Sequence, residues 1–273
     1  MQIDVPWLEF ILIGAAAGYL AGFLGIGGGL VTVPALTWLF LLRPETADRA
    51  IHFAVATSLA TMLVTSLSSI IAHHRRDAVI WKEVWRLVPG LLAGAAAGAV
   101  LADALAPLKL TLVFAAFACL AGLQLLLSPA IHGEKPLPGN GATTGVGLVI
   151  GAISSMVGIG GGSMTGPWLL WHGIRAQKAV ATAAACGYPI ALAGTLAFVV
   201  LGESRDLGGP ALGYVYGPAW VAIALTGALF APLGAATVHR LSPVLVKRIF
   251  GAVLILIALR LGLSAGGFLQ VAG

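Results

Sequence analysis

Ten apolar runs, separated by short polar or glycine- and proline-rich breaks, occupy most of this chain. They cover approximately Leu8–Leu24, Leu30–Leu42, Ile51–Ala72, Leu87–Leu105 and Leu110–Leu127. The remainder are Gly145–Val157, Met164–Trp171, Ala179–Leu201, Gly217–Val238 and Ile249–Leu263. Such sequence must be buried in a very large core or handed to lipid. Charge decides between the two. Only 9% of the 273 residues are charged, against about 25% in a soluble domain, too few to cover a globule of this size. The chain reads as an all-α integral membrane protein. A transmembrane β-barrel needs alternating apolar and polar residues, and these runs do not alternate. A nucleic-acid binder would gather its Lys and Arg on one face, whereas here they are scattered through short loops. Cys119 and Cys186 lie inside apolar runs and read as small core residues. The N-terminus lacks a basic leader, so the first apolar run is expected to stay in the mature protein.

The chain also repeats itself. Gly22–Leu36 reads GFLGIGGGLVTVPAL and Ser155–Leu169 reads SMVGIGGGSMTGPWL, each with G-I-G-G-G, four residues and then Pro34 or Pro167. Downstream, A-V-A-T recurs at Ala54–Thr57 and Ala179–Thr182, and Leu105-Ala106-Pro107 aligns loosely with Leu241-Ser242-Pro243. Three matches in one order indicate a duplicated unit, roughly residues 8–127 and 143–264. The expected organisation is a first transmembrane repeat over 1–127, a polar linker over 128–144 and a second repeat over 145–273. A full span needs about 20 residues at about 1.5 Å each. The runs after each G-I-G-G-G are shorter than that, so each half reads as a broken or re-entrant helical hairpin followed by three transmembrane helices.

Loop charge orients the chain. The loop His73–Arg86 carries Arg75, Arg76, Lys82 and Arg86, and the loop Val238–Arg248 carries Arg240, Lys247 and Arg248. Both should face the cytoplasm. The loops near Asp103–Lys109 and Glu203–Asp206 are poorer in cations and should face out, with Arg43 and Arg49 offset by Glu45 and Asp48. The expectation is a multi-pass protein of the cytoplasmic (inner) membrane, its halves inverted and both termini outside.

Paired, glycine-interrupted segments in inverted repeats point to a transporter site near the bilayer midplane. A helix that starts inside the membrane leaves its first N–H groups unpaired, and its dipole puts about half a positive charge there. Glycines let a ligand approach the backbone. Gly27, Gly28 and Gly29, with Gly160, Gly161 and Gly162, therefore form a candidate nest for a small anion. Alternatively, these glycines only let helices pack closely. Nucleotide binding is unsupported, since Leu30 and Ser163 occupy the last glycine position of G-x-G-x-x-G and no Gly-Lys-Ser/Thr follows.

Thr57, Ser58 and Thr182 could add hydroxyl donors, or could bond their own helix backbones. His52, Gln177 and Lys178 sit at helix mouths. Lys178 or Arg175 either draws anions inward or anchors the inner face. Trp38, Trp168 and Trp171 read as interface anchors, and His73-His74-Arg75-Arg76 as a solvated loop rather than a metal cluster. No Asp or Glu lies in the middle of a long run, so coupling would use His52, His73, His74, a backbone carbonyl or the substrate's own proton. H-E-x-x-H and G-x-S-x-G are both missing, so catalytic, metal and cofactor roles are not expected.

The twin motifs at Gly25–Pro34 and Gly158–Pro167, each followed by A-V-A-T, resemble the TauE/SafE family, also called the sulfite exporter or TSUP family. The resemblance covers nearly the whole chain. It implies a secondary transporter, working by alternating access, for small sulfur-containing oxyanions or organosulfonates such as sulfite, thiosulfate or sulfoacetate. A passive anion channel, or a transporter of another small carboxylate anion, is the alternative. The implied partners are the substrate anion and the lipid bilayer, with a proton as a candidate coupling ion and no nucleic acid. The second copy has Ala183 where the first has Ser58, so the halves should contribute unequally to the site.

Overall fold

The computed structural model describes residues 5–24, 28–127, 136–202, 210–237 and 243–265. Gly27, the expected loops around Glu203–Asp206 and Arg240, and the first part of the linker, residues 128–135, lie outside these residues. Ten α-helices occur among the described residues. In the first half they are α1 (Trp7–Leu24), α2 (Gly29–Leu41), α3 (Ala50–His74), α4 (Trp81–Ala104) and α5 (Pro107–Leu127). In the second they are α6 (Asn140–Val157), α7 (Gly162–Trp171), α8 (Ala176–Leu201), α9 (Gly217–Thr237) and α10 (Pro243–Ala265). Each grows from one apolar run, because in lipid a helix satisfies every backbone group within its own segment. Among the described residues, six helices are long and apolar enough to cross a membrane. The chain is an all-α integral membrane protein.

Besides Lys247 and Arg248, which lie within α10 rather than in a loop, two features depart from the sequence reading. First, Lys82 and Arg86 lie in the first turns of α4 rather than in a loop. The helix can start early because Arg86 Nη1 donates to both Glu83 carboxylate oxygens, at 3.1 and 3.2 Å, and neutralises the buried carboxylate. Second, an antiparallel ribbon precedes α9, with β1 (Ala211–Leu212) paired to β2 (Val215–Tyr216). Gly213 turns it at φ +54°, in the left-handed region that favours glycine.

The halves are interleaved. α1 packs on α9 and α6 packs on α4, so the first helix of each half lies on the fourth helix of the other. α3 and α8 pack on each other, α5 packs on α10, α2 lies on α3 and α7 on α8. The cross-half pairs use stripes of small residues. Gly14, Gly18 and Gly22 of α1 press on Ile223, Gly227 and Ala231 of α9. Gly90, Gly94 and Gly98 of α4 press on Thr144, Leu148 and Ala152 of α6. Small residues at every fourth position bring backbones close, which is how helices associate in lipid.

Candidate functional site

The two glycine motifs form the starts of the two shortest helices described. α2 begins at Gly29 behind Gly28, and α7 begins at Gly162 behind Gly161; neither cap residue has a side chain to bond the first N–H groups. The ladders open with Val31 and Thr32 both returning to the Gly28 carbonyl at 3.0 Å. Met164 and Thr165 likewise return to Gly161, at 3.1 and 2.7 Å. Pro34 and Pro167 each remove one further donor from these short helices. In the second half the break itself is defined. Gly158 adopts φ +71° and ψ +32°, and Ile159 N–H reaches back to the Ser154 carbonyl at 2.9 Å, closing α6 in a left-handed cap. Residues 158–161 then cross the interior, all of them buried, before α7 starts.

The motifs meet. A Cβ on Gly29 would fall within contact distance of the Gly158 carbonyl oxygen, 3.0 Å from Ile159 Cα and 2.5 Å from Met62 Cε. Met62 also borders Gly160, with Sδ 3.4 Å from where its Cβ would be. Ser58 Oγ, on α3, donates to the same Gly158 carbonyl at 2.8 Å and is fully buried. Of the residues singled out from sequence, the fold thus gathers Gly28, Gly29, Gly160, Gly161, Gly162 and Ser58 around one buried point.

The other candidates go elsewhere. Thr57 and Thr182, expected to donate to an anion, accept backbone hydrogen bonds from Tyr216 N–H at 3.1 Å and Ile80 N–H at 3.0 Å, a role that does not use the hydroxyl proton. These are reciprocal. Each threonine holds the residue next to the start of the other half's fourth helix, α9 or α4. Replacing Thr182 with valine will leave the half-buried Ile80 N–H without its acceptor and lower stability by about 1 kcal/mol. Thr182→Ser will keep most of it, as thermal unfolding of the detergent-solubilised protein will read. Gln177 and Lys178 are exposed on the first turn of α8. His52 is fully buried, with Nε2 3.0 Å from the Ala102 carbonyl oxygen. It sits six residues before Ser58, about 9 Å along α3.

His52 belongs to a polar cluster that sequence reading missed. Arg49 Nη1 donates to Asp103 Oδ1 at 3.2 Å and to the Tyr214 hydroxyl at 2.6 Å, and that hydroxyl donates to Asp103 Oδ1 at 2.8 Å. The Tyr214 and His52 rings lie 5.6 Å apart, and Arg43 Nη1 donates to the Tyr216 hydroxyl at 3.2 Å. Burial pushes the Tyr214 hydroxyl up to about 12, with the Asp103 carboxylate acting in the same direction, so it remains a donor at physiological pH. The Arg49–Asp103 pair is partly exposed at both ends and by itself contributes at most about 1 kcal/mol. What it does is tie the second half's ribbon to α3 and α4.

Also missed are hydroxyls around the second motif. Ser154, Ser155, Ser163, Thr165 and Thr195 each bury a hydroxyl oxygen that has no hydrogen-bond partner among the described residues. The signal was present, because the first motif has Ala21, Gly22 and Leu30 where the second has Ser154, Ser155 and Ser163. A cavity of about 190 Å³ opens elsewhere, among Thr37, Leu41, Ala50, Ile51, Pro107 and Leu261, and its mostly apolar wall offers an anion no charge. Among the described residues no three His, Cys, Asp or Glu side chains gather to hold a metal.

Comparison with known proteins decides the family. The profile described as "Sulfite exporter TauE/SafE" matches residues 10–261, both repeats included. The chain belongs to the TauE/SafE family. Among its relatives is a probable membrane transporter protein of Haemophilus influenzae, 32% identical over 257 residues, covering 93% of this chain and 97% of the relative. Another is the probable membrane transporter protein YunE of Bacillus subtilis, 26% identical over 277 residues, covering 94% and 97%. A third, from Methanocaldococcus jannaschii, is 23% identical over 229 residues, covering 82% and 80%. No solved structure matches the chain. As a TauE/SafE member with transporter-named relatives along its full length, the protein is a membrane transporter.

Proposed function

We propose that this TauE/SafE protein is a secondary transporter of small sulfur-containing oxyanions or organosulfonates, working by alternating access in the cytoplasmic membrane. One observation carries the reading. The glycine-capped start of α2 meets the second motif at a buried point, where Gly29 touches Gly158 and Ile159, a few residues ahead of the glycine-capped start of α7 at Gly162. Each start carries about half a positive charge in its bare amides, and glycine keeps side chains off them. The binding residues are Gly29, Gly160, Gly161, Gly162 and Ser58, with Gly28 lending only its backbone, since its Cβ direction faces Ala17 of α1. Ser58 holds the break open for the backbone by engaging the Gly158 carbonyl. The reciprocal packing of α1 on α9 and α6 on α4, with the reciprocal bonds at Thr57 and Thr182, supports two halves of inverted topology rocking about this point. On that topology both termini lie outside. The family description supports a sulfur oxyanion as cargo.

Purified protein in liposomes, loaded with radiolabelled sulfite, thiosulfate or sulfoacetate on one side, tests this. The expected result is saturable flux, with uphill accumulation when a pH difference is imposed. Flux that only equalises the two sides makes the protein a channel. Flux of carboxylates but none of the sulfur anions reassigns the cargo.

A further inference from the structure

The unpartnered hydroxyls mark the second half as the side that grips the anion. Three other helical threonines bond the carbonyl four residues back. Thr37 does so to Val33 at 2.7 Å, Thr111 to Pro107 at 2.9 Å and Thr226 to Ala222 at 2.7 Å. The two motif threonines occupy matched positions. Thr32 does the same, donating to Gly28 at 3.1 Å. Thr165, fully buried, does not, although the same carbonyl type lies one turn behind it. Ser155, also fully buried, lies 2.9 Å from where a Cβ on Gly194 would stand, and Ser154 is 1% exposed. A buried hydroxyl without a partner is costly, and side-chain hydroxyls rotate freely to find one. Several together, at the end of α6 and the start of α7, point to an acceptor that comes and goes.

The charge of that acceptor follows from what surrounds it. α2, α6 and α7 contain no Lys, Arg, Asp or Glu. The donors are therefore neutral, and the fixed positive potential is the two helix starts, about half a charge each, or about one in sum. The cost of taking an ion out of water rises with the square of its charge, so a doubly charged guest would pay about four times the desolvation cost for the same donors.

Resting on the transport reading above, we propose that Ser154, Ser155, Ser163 and Thr165, with the amide end of α7, coordinate the anion, and that the site selects a singly charged oxyanion. In liposome transport of radiolabelled sulfite, Thr165→Val and Ser155→Ala will raise KM about tenfold or more, the effect of losing a hydrogen bond to a charged group. Thr165→Ser will restore it. Because these hydroxyls bond nothing among the described residues, both variants will unfold at or above the wild-type temperature. Methanesulfonate, always singly charged near neutral pH, will compete at a concentration at least tenfold lower than sulfate, always doubly charged. Wild-type KM in both variants, or loss of stability with no rescue by Thr165→Ser, overturns the hydroxyl assignment, and equal competition by sulfate overturns the charge assignment. If the unmodified protein moves no anion at all, it is the transport reading that fails.

Discussion

Gly94→Leu will prevent this protein from assembling into a monodisperse, folded form. Gly94 sits in the middle of the Gly90–Gly94–Gly98 stripe, where α4 lies against α6. A Cβ there would collide with the Leu148 carbonyl oxygen and stand 2.9 Å from Leu148 Cα, so the obstacle is backbone and cannot rotate away. Between helices in lipid there is no hydrophobic gain to offset the loss, since acyl chains are as apolar as leucine, and close backbone approach is the main attraction. Overpacking this contact costs about 3 kcal/mol or more, a large part of the stability of an ordinary domain. Gly145→Leu is the control. It lies on α6 with open space around its Cβ position, and should leave folding unchanged. Size-exclusion chromatography in detergent and thermal unfolding read both. A Gly94→Leu protein that elutes and melts like wild type removes the packing role of the stripe.

Gly29→Ala will abolish most transport while Gly28→Ala will not. The two glycines are neighbours in the same motif, yet their surroundings differ. Gly28 has Ala17 Cβ 3.2 Å from its own would-be Cβ, a contact that a few tenths of an ångström relieve. At Gly29 the added methyl meets the Gly158 carbonyl, the acceptor of the Ser58 hydroxyl, and Ile159 Cα at 3.0 Å. The methyl pushes the start of α2 away from the end of α6 and breaks the bond between α3 and the second break. Loss of that buried bond costs about 1–3 kcal/mol, so sulfite flux should fall about tenfold or more, with Gly28→Ala within about twofold of wild type. Equal flux in the two variants would mean that the contact between the motifs has no part in transport.

Much of the architecture was legible without coordinates. The apolar runs locate all ten helices to within a few residues, except that α4, α6 and α10 start several residues early. Arg86 and Glu83 neutralise each other by an i,i+3 contact that a charge count reads as a loop. The ribbon at 211–216 was invisible because two-residue strands leave no periodicity to detect. At the site, the central glycines were singled out by their repetition and Ser58 by its place beside Thr57 on α3. The roles of Thr57 and Thr182 were not, because their partners, Tyr216 and Ile80, lie more than a hundred positions away in the chain. His52 was read as a helix-mouth residue, and only the approach of Ala102 and Tyr214 shows the cluster it serves.

The amino-acid sequence alone determined the class of the protein, the placing of its helices, its duplication and the points where two of those helices break. It could do so because lipid forces each segment to satisfy its own backbone, and that is a local demand. Tertiary structure decided which glycines bring helices together, which leave amide ends bare, and which hydroxyls stay unpartnered beside them. Those depend on how α1 crosses α9 and α6 crosses α4, and a crossing is settled by the fit of two surfaces distant in the chain.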